Sequence, residues 1–105
     1  MTTYLITRHA GAIEWIARQG MQVDQHITHL DPATIQIGDI VIGTLPVNLA
    51  AQVCEQGGHF YNLSLDLPPE ARGHELTADD LQHYGARLEK YCIEHCQPTQ
   101  KDATQ

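Results

Sequence analysis

Dense apolar runs alternate along the chain with stretches whose apolar residues keep helical spacing. Thr3 to Thr7 is nearly all apolar, as expected of a strand covered on both faces. From about Ala10 to Gln19, the residues Ala10, Ile13, Ile16, Ala17 and Gly20 share one stripe, which predicts a helix closed by Gly20. Trp15 points away from that stripe, which suits a subunit contact, a ligand-stacking surface or a cap against a neighbouring loop. Val23 to His29 alternates in part and reads as a half-exposed edge strand. Asp31-Pro32 opens a helical turn, with Asp31 as cap and Pro32 at the first helical position. Ile40-Val41-Ile42 predicts a central strand over Asp39 to Gly43. In the helix that follows, Pro46 fits the first position and Leu45 the cap, with Leu49, Ala50, Val53 and Cys54 buried.

Phe60 to Leu65 is the fourth predicted strand. Thr77-Ala78-Asp79-Asp80 reads as a capped helix start, and Leu81, Tyr84, Leu88, Tyr91 and Cys92 as the apolar stripe of a long last helix. From Gln97 the pattern stops, so residues 1–96 are expected to form one domain and 97–105 a disordered tail. Strands alternating with helices argue for an α/β fold on a mainly parallel four-stranded sheet. Right-handed crossovers and an edge-like second strand favour the order 2-1-3-4. The switch point then lies between the first and third strands, where open α/β sheets bind ligands beyond the strand carboxyl ends. Thr7-Arg8-His9-Ala10-Gly11 and Gly43-Thr44-Leu45-Pro46-Val47-Asn48 meet there. Asp66 lies one strand further away.

Composition narrows what this crevice could hold. The 105 residues carry a net charge of -7 with only six Lys and Arg. Duplex nucleic acid is a poor expected partner for so acidic a chain, because phosphate contacts supply most of such affinity. A small nucleotide is compatible if the few cations converge, and Arg8 stands at a strand end. No run is long enough to span a membrane and no signal-peptide pattern opens the chain, so a cytoplasmic protein is expected. Cys54, Cys92 and Cys96 form no even disulfide framework. Cys92 and Cys96, four apart on the predicted last helix, lack a second close pair to complete a metal site. His26 and His29 fall on opposite faces of a strand, and His74-Glu75 reads as a solvated loop.

Thr7-Arg8-His9-Ala10-Gly11-Ala12-Ile13-Glu14-Trp15, His29-Leu30-Asp31-Pro32, Gly43-Thr44-Leu45-Pro46-Val47-Asn48-Leu49-Ala50 and Leu65-Asp66-Leu67-Pro68 form a specific combination. On these stretches the chain resembles the Csx-sixteen family of small CRISPR-associated proteins from type III systems, over about residues 3 to 92. The resemblance implies a Rossmann-like three-layer domain related to the CARF sensors. It implies a homodimeric ring nuclease that binds cyclic oligoadenylate, chiefly cyclic tetra-adenylate, cuts it to linear products and switches off the defence signal. Arg8, His9, Thr44, Asn48 and Asp66 carry over by position.

The residue roles follow from chemistry. The ribose 2′-OH is a built-in nucleophile, so alignment, proton removal and charge stabilisation suffice without metal or cofactor. Arg8 suits the phosphate, as a bidentate clamp. His9 suits proton transfer, since an unperturbed imidazole titrates near neutrality. Backbone amides near Gly11 and Val47 suit nonbridging oxygens. The remaining expected ligand contacts are Thr7, Trp15, Gly43, Thr44, Leu45, Pro46, Asn48 and Asp66. Arg8 could instead pair with Glu14 or Asp66, and Glu14 most simply pairs with Arg18. A histidine phosphatase also places Arg-His-Gly after its first strand, but here Ala10 intervenes and no second strand-end His motif is apparent. Nothing in these residue types separates slow cleavage from a domain that sequesters cyclic oligoadenylate uncut, and an adaptor within an effector complex is a third reading, favoured if neither binding nor cleavage occurs.

Overall fold

The computed structural model describes residues 1–96, so the expected tail at 97–105 lies outside the described residues. Among the described residues, five strands and three α-helices form a small α/β domain. They are β1 (Thr3–Ile6), α1 (Ala10–Arg18), β2 (Gln25–Ile27), β3 (Ile40–Gly43), α2 (Val47–Glu55), β4 (His59–Ser64), α3 (Ala78–His83) and β5 (Arg87–Tyr91). Short 3-10 turns occupy Pro32–Thr34 and Pro69–Ala71. At the first of these Asp31 accepts from the Ala33 amide and Pro32 follows, as its sequence predicts.

Alternation along the strands builds two cores. Leu5 and Ile42 project to one face, where Trp15 and Ile16 of α1 and Ala78 and Leu81 of α3 cover them. Ile6, Val41 and Phe60 project to the other, under Ala50 and Val53 of α2 and the Leu30–Ile35 segment. The sheet order is β2-β1-β3-β4-β5. The first four strands are parallel, with Leu5 beside Ile42 and Val41 beside Phe60. β5 runs antiparallel to β4, with Leu63 beside Leu88.

The expected four-stranded parallel sheet is therefore corrected to a five-stranded mixed one. The error lies in the last helix, which ends after His83. Gly85 adopts φ +73°, the left-handed conformation that glycine takes without steric penalty. Its amide donates to Gln82 O (3.2 Å) and that of Ala86 to Leu81 O (2.9 Å), closing α3 in a Schellman motif. Residues 87–91 then pair with β4, and Cys92 and Cys96 lie beyond β5 rather than on a helix.

The buried face of α1 is also rotated from the expected stripe. Gly11, Ala12, Trp15 and Ile16 are buried, whereas Ala10, Ile13 and Ala17 are exposed. α1 packs against α3 as well as the sheet, so the Trp15 side is covered from two directions. Arg18 joins the two helices at the surface, bonding Asp79 at 2.7 Å and, as expected from their spacing, Glu14 at 3.5 Å. No helix among the described residues is long and apolar enough to cross a membrane.

Candidate functional site

A cleft of about 630 Å³ opens beyond the carboxyl ends of the parallel strands. That size falls within the ~300–1,000 Å³ common for small-ligand sites. Thr7, Arg8 and His9 enter from the end of β1, Thr28 and His29 from β2, and Thr44, Leu45 and Pro46 from β3. Leu63 and Leu65 come from the end of β4, and His74 and Leu76 from the loop before α3.

The β1 end is tightly fixed. The Thr7 amide donates to Ile27 O (3.2 Å), its hydroxyl accepts from the His9 amide (3.1 Å), and its carbonyl is 2.8 Å from His26 Nε2. A carbonyl can only accept, so His26 carries its proton on Nε2. The backbone of Thr7-Arg8-His9 is thus held from three sides. The Arg8 side chain is exposed and makes no ion pair among the described residues, so neither Glu14 nor Asp66 holds it. His9 caps α1 through extended backbone (φ -101°, ψ 120°) without a side-chain capping bond.

Two helices start at this cleft. The first intrahelical bonds of α1 run from the Ala12 and Ile13 amides to His9 O, and those of α2 from the Leu49 and Ala50 amides to Pro46 O. The amides ahead of them give each start its positive end. Pro46, with φ -54° and ψ 145°, is the cap of α2 rather than its first residue, and it displaces Leu45 from that role.

Several expected contacts lie elsewhere. Gly11 is buried, and a Cβ there would collide with the Leu76 carbonyl oxygen; the missing side chain lets α1 approach the loop before α3. Gly43 likewise abuts the Ile6 carbonyl oxygen, which allows β3 and β1 to close up under the cleft. Trp15 is only 4% exposed, and its Nε1 donates to Gln82 Oε1 at 3.1 Å, so it is a core residue rather than an outward one. Asn48 is exposed in the first turn of α2 and does not line the cleft. Asp66 pairs with Arg87 of β5 at 3.3 Å, also away from the cleft.

Conversely, His29 and His74, which sequence reasoning set aside, line the cleft, and so does Thr28, which it did not single out. A signal existed for His29: it follows a strand end, the rule that singles out Arg8 and Thr44. For His74, on a loop far along the chain, no sequence signal pointed inward. Among the described residues no three His, Cys, Asp or Glu side chains are grouped to hold a metal ion.

The cleft has a consistent chemical character. Its lining combines Arg8, three imidazoles and three threonines with a wall of leucines. No carboxylate among the described residues lines it, although the chain carries 13 Asp and Glu. An anionic ligand with flat apolar parts suits such a surface. The fold and cleft thus define a small α/β protein with a strand-end site suited to an anion. Residues 4–94 match the family described as "Putative CRISPR-associated protein (Cas_VVA1548)", and the chain belongs to that family. No curated protein and no solved structure gives a significant match.

Proposed function

We propose that the protein is a ring nuclease that binds cyclic oligoadenylate, chiefly cyclic tetra-adenylate, and cuts it without a metal ion. The observation that carries this reading is a cleft lined by no carboxylate among the described residues, in a chain of net charge -7, with Arg8 and His9 exposed at its mouth. Membership of a CRISPR-associated family supports it, as does the motif resemblance to the Csx-sixteen proteins. Arg8 and the helix starts bind nonbridging phosphate oxygens. The leucine wall receives adenine faces, and Thr44 reaches a ribose or base edge. One cleft holds part of a cyclic oligonucleotide, and a homodimer completes the site by placing two clefts across a two-fold axis.

In the reaction the ribose 2′-oxygen bonds to phosphorus as the phosphorus–5′-oxygen bond breaks. The 2′-hydroxyl proton passes to a base and the 5′-oxygen receives a proton, leaving a 2′,3′-cyclic phosphate and a 5′-hydroxyl. His9 carries one of these transfers. Labelled cyclic tetra-adenylate incubated with excess protein and a chelator tests the proposal. Linear adenylates ending in cyclic phosphate are expected, and bound but intact ligand would overturn it in favour of sequestration. His9→Ala is expected to slow cleavage by about 10²–10⁴-fold, the usual contribution of a positioned acid or base, while binding persists.

A further inference from the structure

We propose that His29 is a second catalytic residue of the cleft, carrying the proton transfer that His9 does not; this rests on the ring-nuclease reading above. Attack by the 2′-oxygen and departure of the 5′-oxygen occur in line, on opposite sides of phosphorus. One proton leaves on the first side and another arrives on the second. A single imidazole serves one side of that transition state, so the other side is left to a second side chain or to slower transfer through water.

The cleft contains two further imidazoles, His29 and His74. Their placements differ. Ile27, the last residue of β2, pairs with Ile6, and its carbonyl accepts from the Thr7 amide. The paired strands end there, and the chain bends through Thr28 and His29 as it leaves β2 and through Arg8 as it leaves β1. His29 therefore enters the cleft two residues after a strand end that is bonded to β1, one strand away from the segment that carries Arg8 and His9. A reacting group needs this kind of fixed support. His74 stands on a loop outside the sheet ladder, between the 3-10 turn at Pro69–Ala71 and the Thr77 cap. His26, by contrast, is occupied with the Thr7 carbonyl. The rings of His9 and His29 make no hydrogen bond among the described residues, which leaves both nitrogens of each available to a ligand.

Two ligands separate the roles: cyclic tetra-adenylate, and the same ring with sulfur replacing each bridging 5′-oxygen. A thiolate leaves without being protonated, so the sulfur ligand bypasses loss of the acid but not of the base. His29 is exposed, so His29→Ala leaves the core intact. That variant is expected to bind the normal ring like the wild type and to cut it about 10²–10⁴-fold more slowly, with one limb of the bell-shaped pH–rate profile missing. One, and only one, of His9→Ala and His29→Ala is expected to recover on the sulfur ligand. Wild-type cleavage by His29→Ala, or recovery of both variants or neither, would overturn the assignment of His29 while leaving the ring-nuclease reading in place. A wild-type protein that leaves the normal ring intact would remove both readings together.

Discussion

A Cβ at Gly11 would run into the Leu76 carbonyl oxygen, so this glycine is required by packing between α1 and the loop before α3. Backbone is the obstacle, and it yields less readily than the end of a side chain. Gly11→Ala is therefore expected to destabilise the domain by about 1–3 kcal/mol, in the range of overpacked cores. Each kcal/mol corresponds to a fall in Tm of roughly 4–8 °C for a domain near this size, measurable by thermal unfolding. An unchanged Tm would contradict the packing account. Sequence reasoning found the residue but not this neighbour, because a glycine after a strand looks the same whether an anion or a backbone carbonyl approaches it. Trp15 was misplaced similarly: its buried environment comes from α3, more than sixty residues later in the chain. Arg8 and His9 were legible because their position depends only on where β1 stops and α1 starts.

Among the elements, β5 depends most on a single residue. The left-handed backbone at Gly85 ends α3 and turns the chain toward β4. Gly85→Ala is expected to cost about 1–2 kcal/mol, the penalty of that conformation for an L-residue, and Gly85→Asn distinctly less, because asparagine visits it more readily. Urea unfolding of the two variants checks the ranking; equal losses would point instead to a steric cause. The nearest atom to an added Cβ is Asp66 Oδ2, at 3.3 Å on an exposed, flexible side chain, so space is not the limiting factor. The parallel strands were readable because Leu5-Ile6, Ile40-Val41-Ile42 and Phe60 lie in apolar runs. β5 was not, because Leu81, Tyr84, Leu88 and Tyr91 keep helical spacing across the break, and Arg87-Leu88-Glu89-Lys90-Tyr91 lacks strict alternation. The charged residues suit an edge strand, where they discourage pairing with another sheet. Missing β5 also hid Arg87, and so the ion pair that engages Asp66.

At the scale of the whole molecule, the two ends of the sheet treat charge differently. The carboxyl end opens into a cleft that no carboxylate among the described residues lines, while at the amino end Asp24 accepts from the Thr3 amide at 2.8 Å and Asp39 from two further amides. Asp39, 3% exposed, accepts from the amides of Thr2 and Gln36 at 2.9 Å each, and its carbonyl accepts from the His59 amide at 2.7 Å. One carboxylate thus ties the start of β1 to the turn before β3. The Gln36 and Thr2 amides, aided by the positive N-terminus, hold its pKa below the ordinary carboxylate value. A depressed folded-state pKa stabilises the fold above the unfolded value, near pH 4, and that contribution is lost as pH falls through the folded value. Asp39→Asn should therefore lower Tm at neutral pH, since its amide group cannot accept both backbone bonds. The Tm gap between wild type and variant should narrow from about pH 5 downward, as the wild-type carboxylate is protonated. The seven histidines are common to both proteins, so they cancel in the difference. A gap that stays constant from about pH 6 to the acid limit of folding would show that Asp39 acts by shape and not by charge. A narrowing gap would mean that acid loosens the fold at the amino end of the sheet, opposite the cleft.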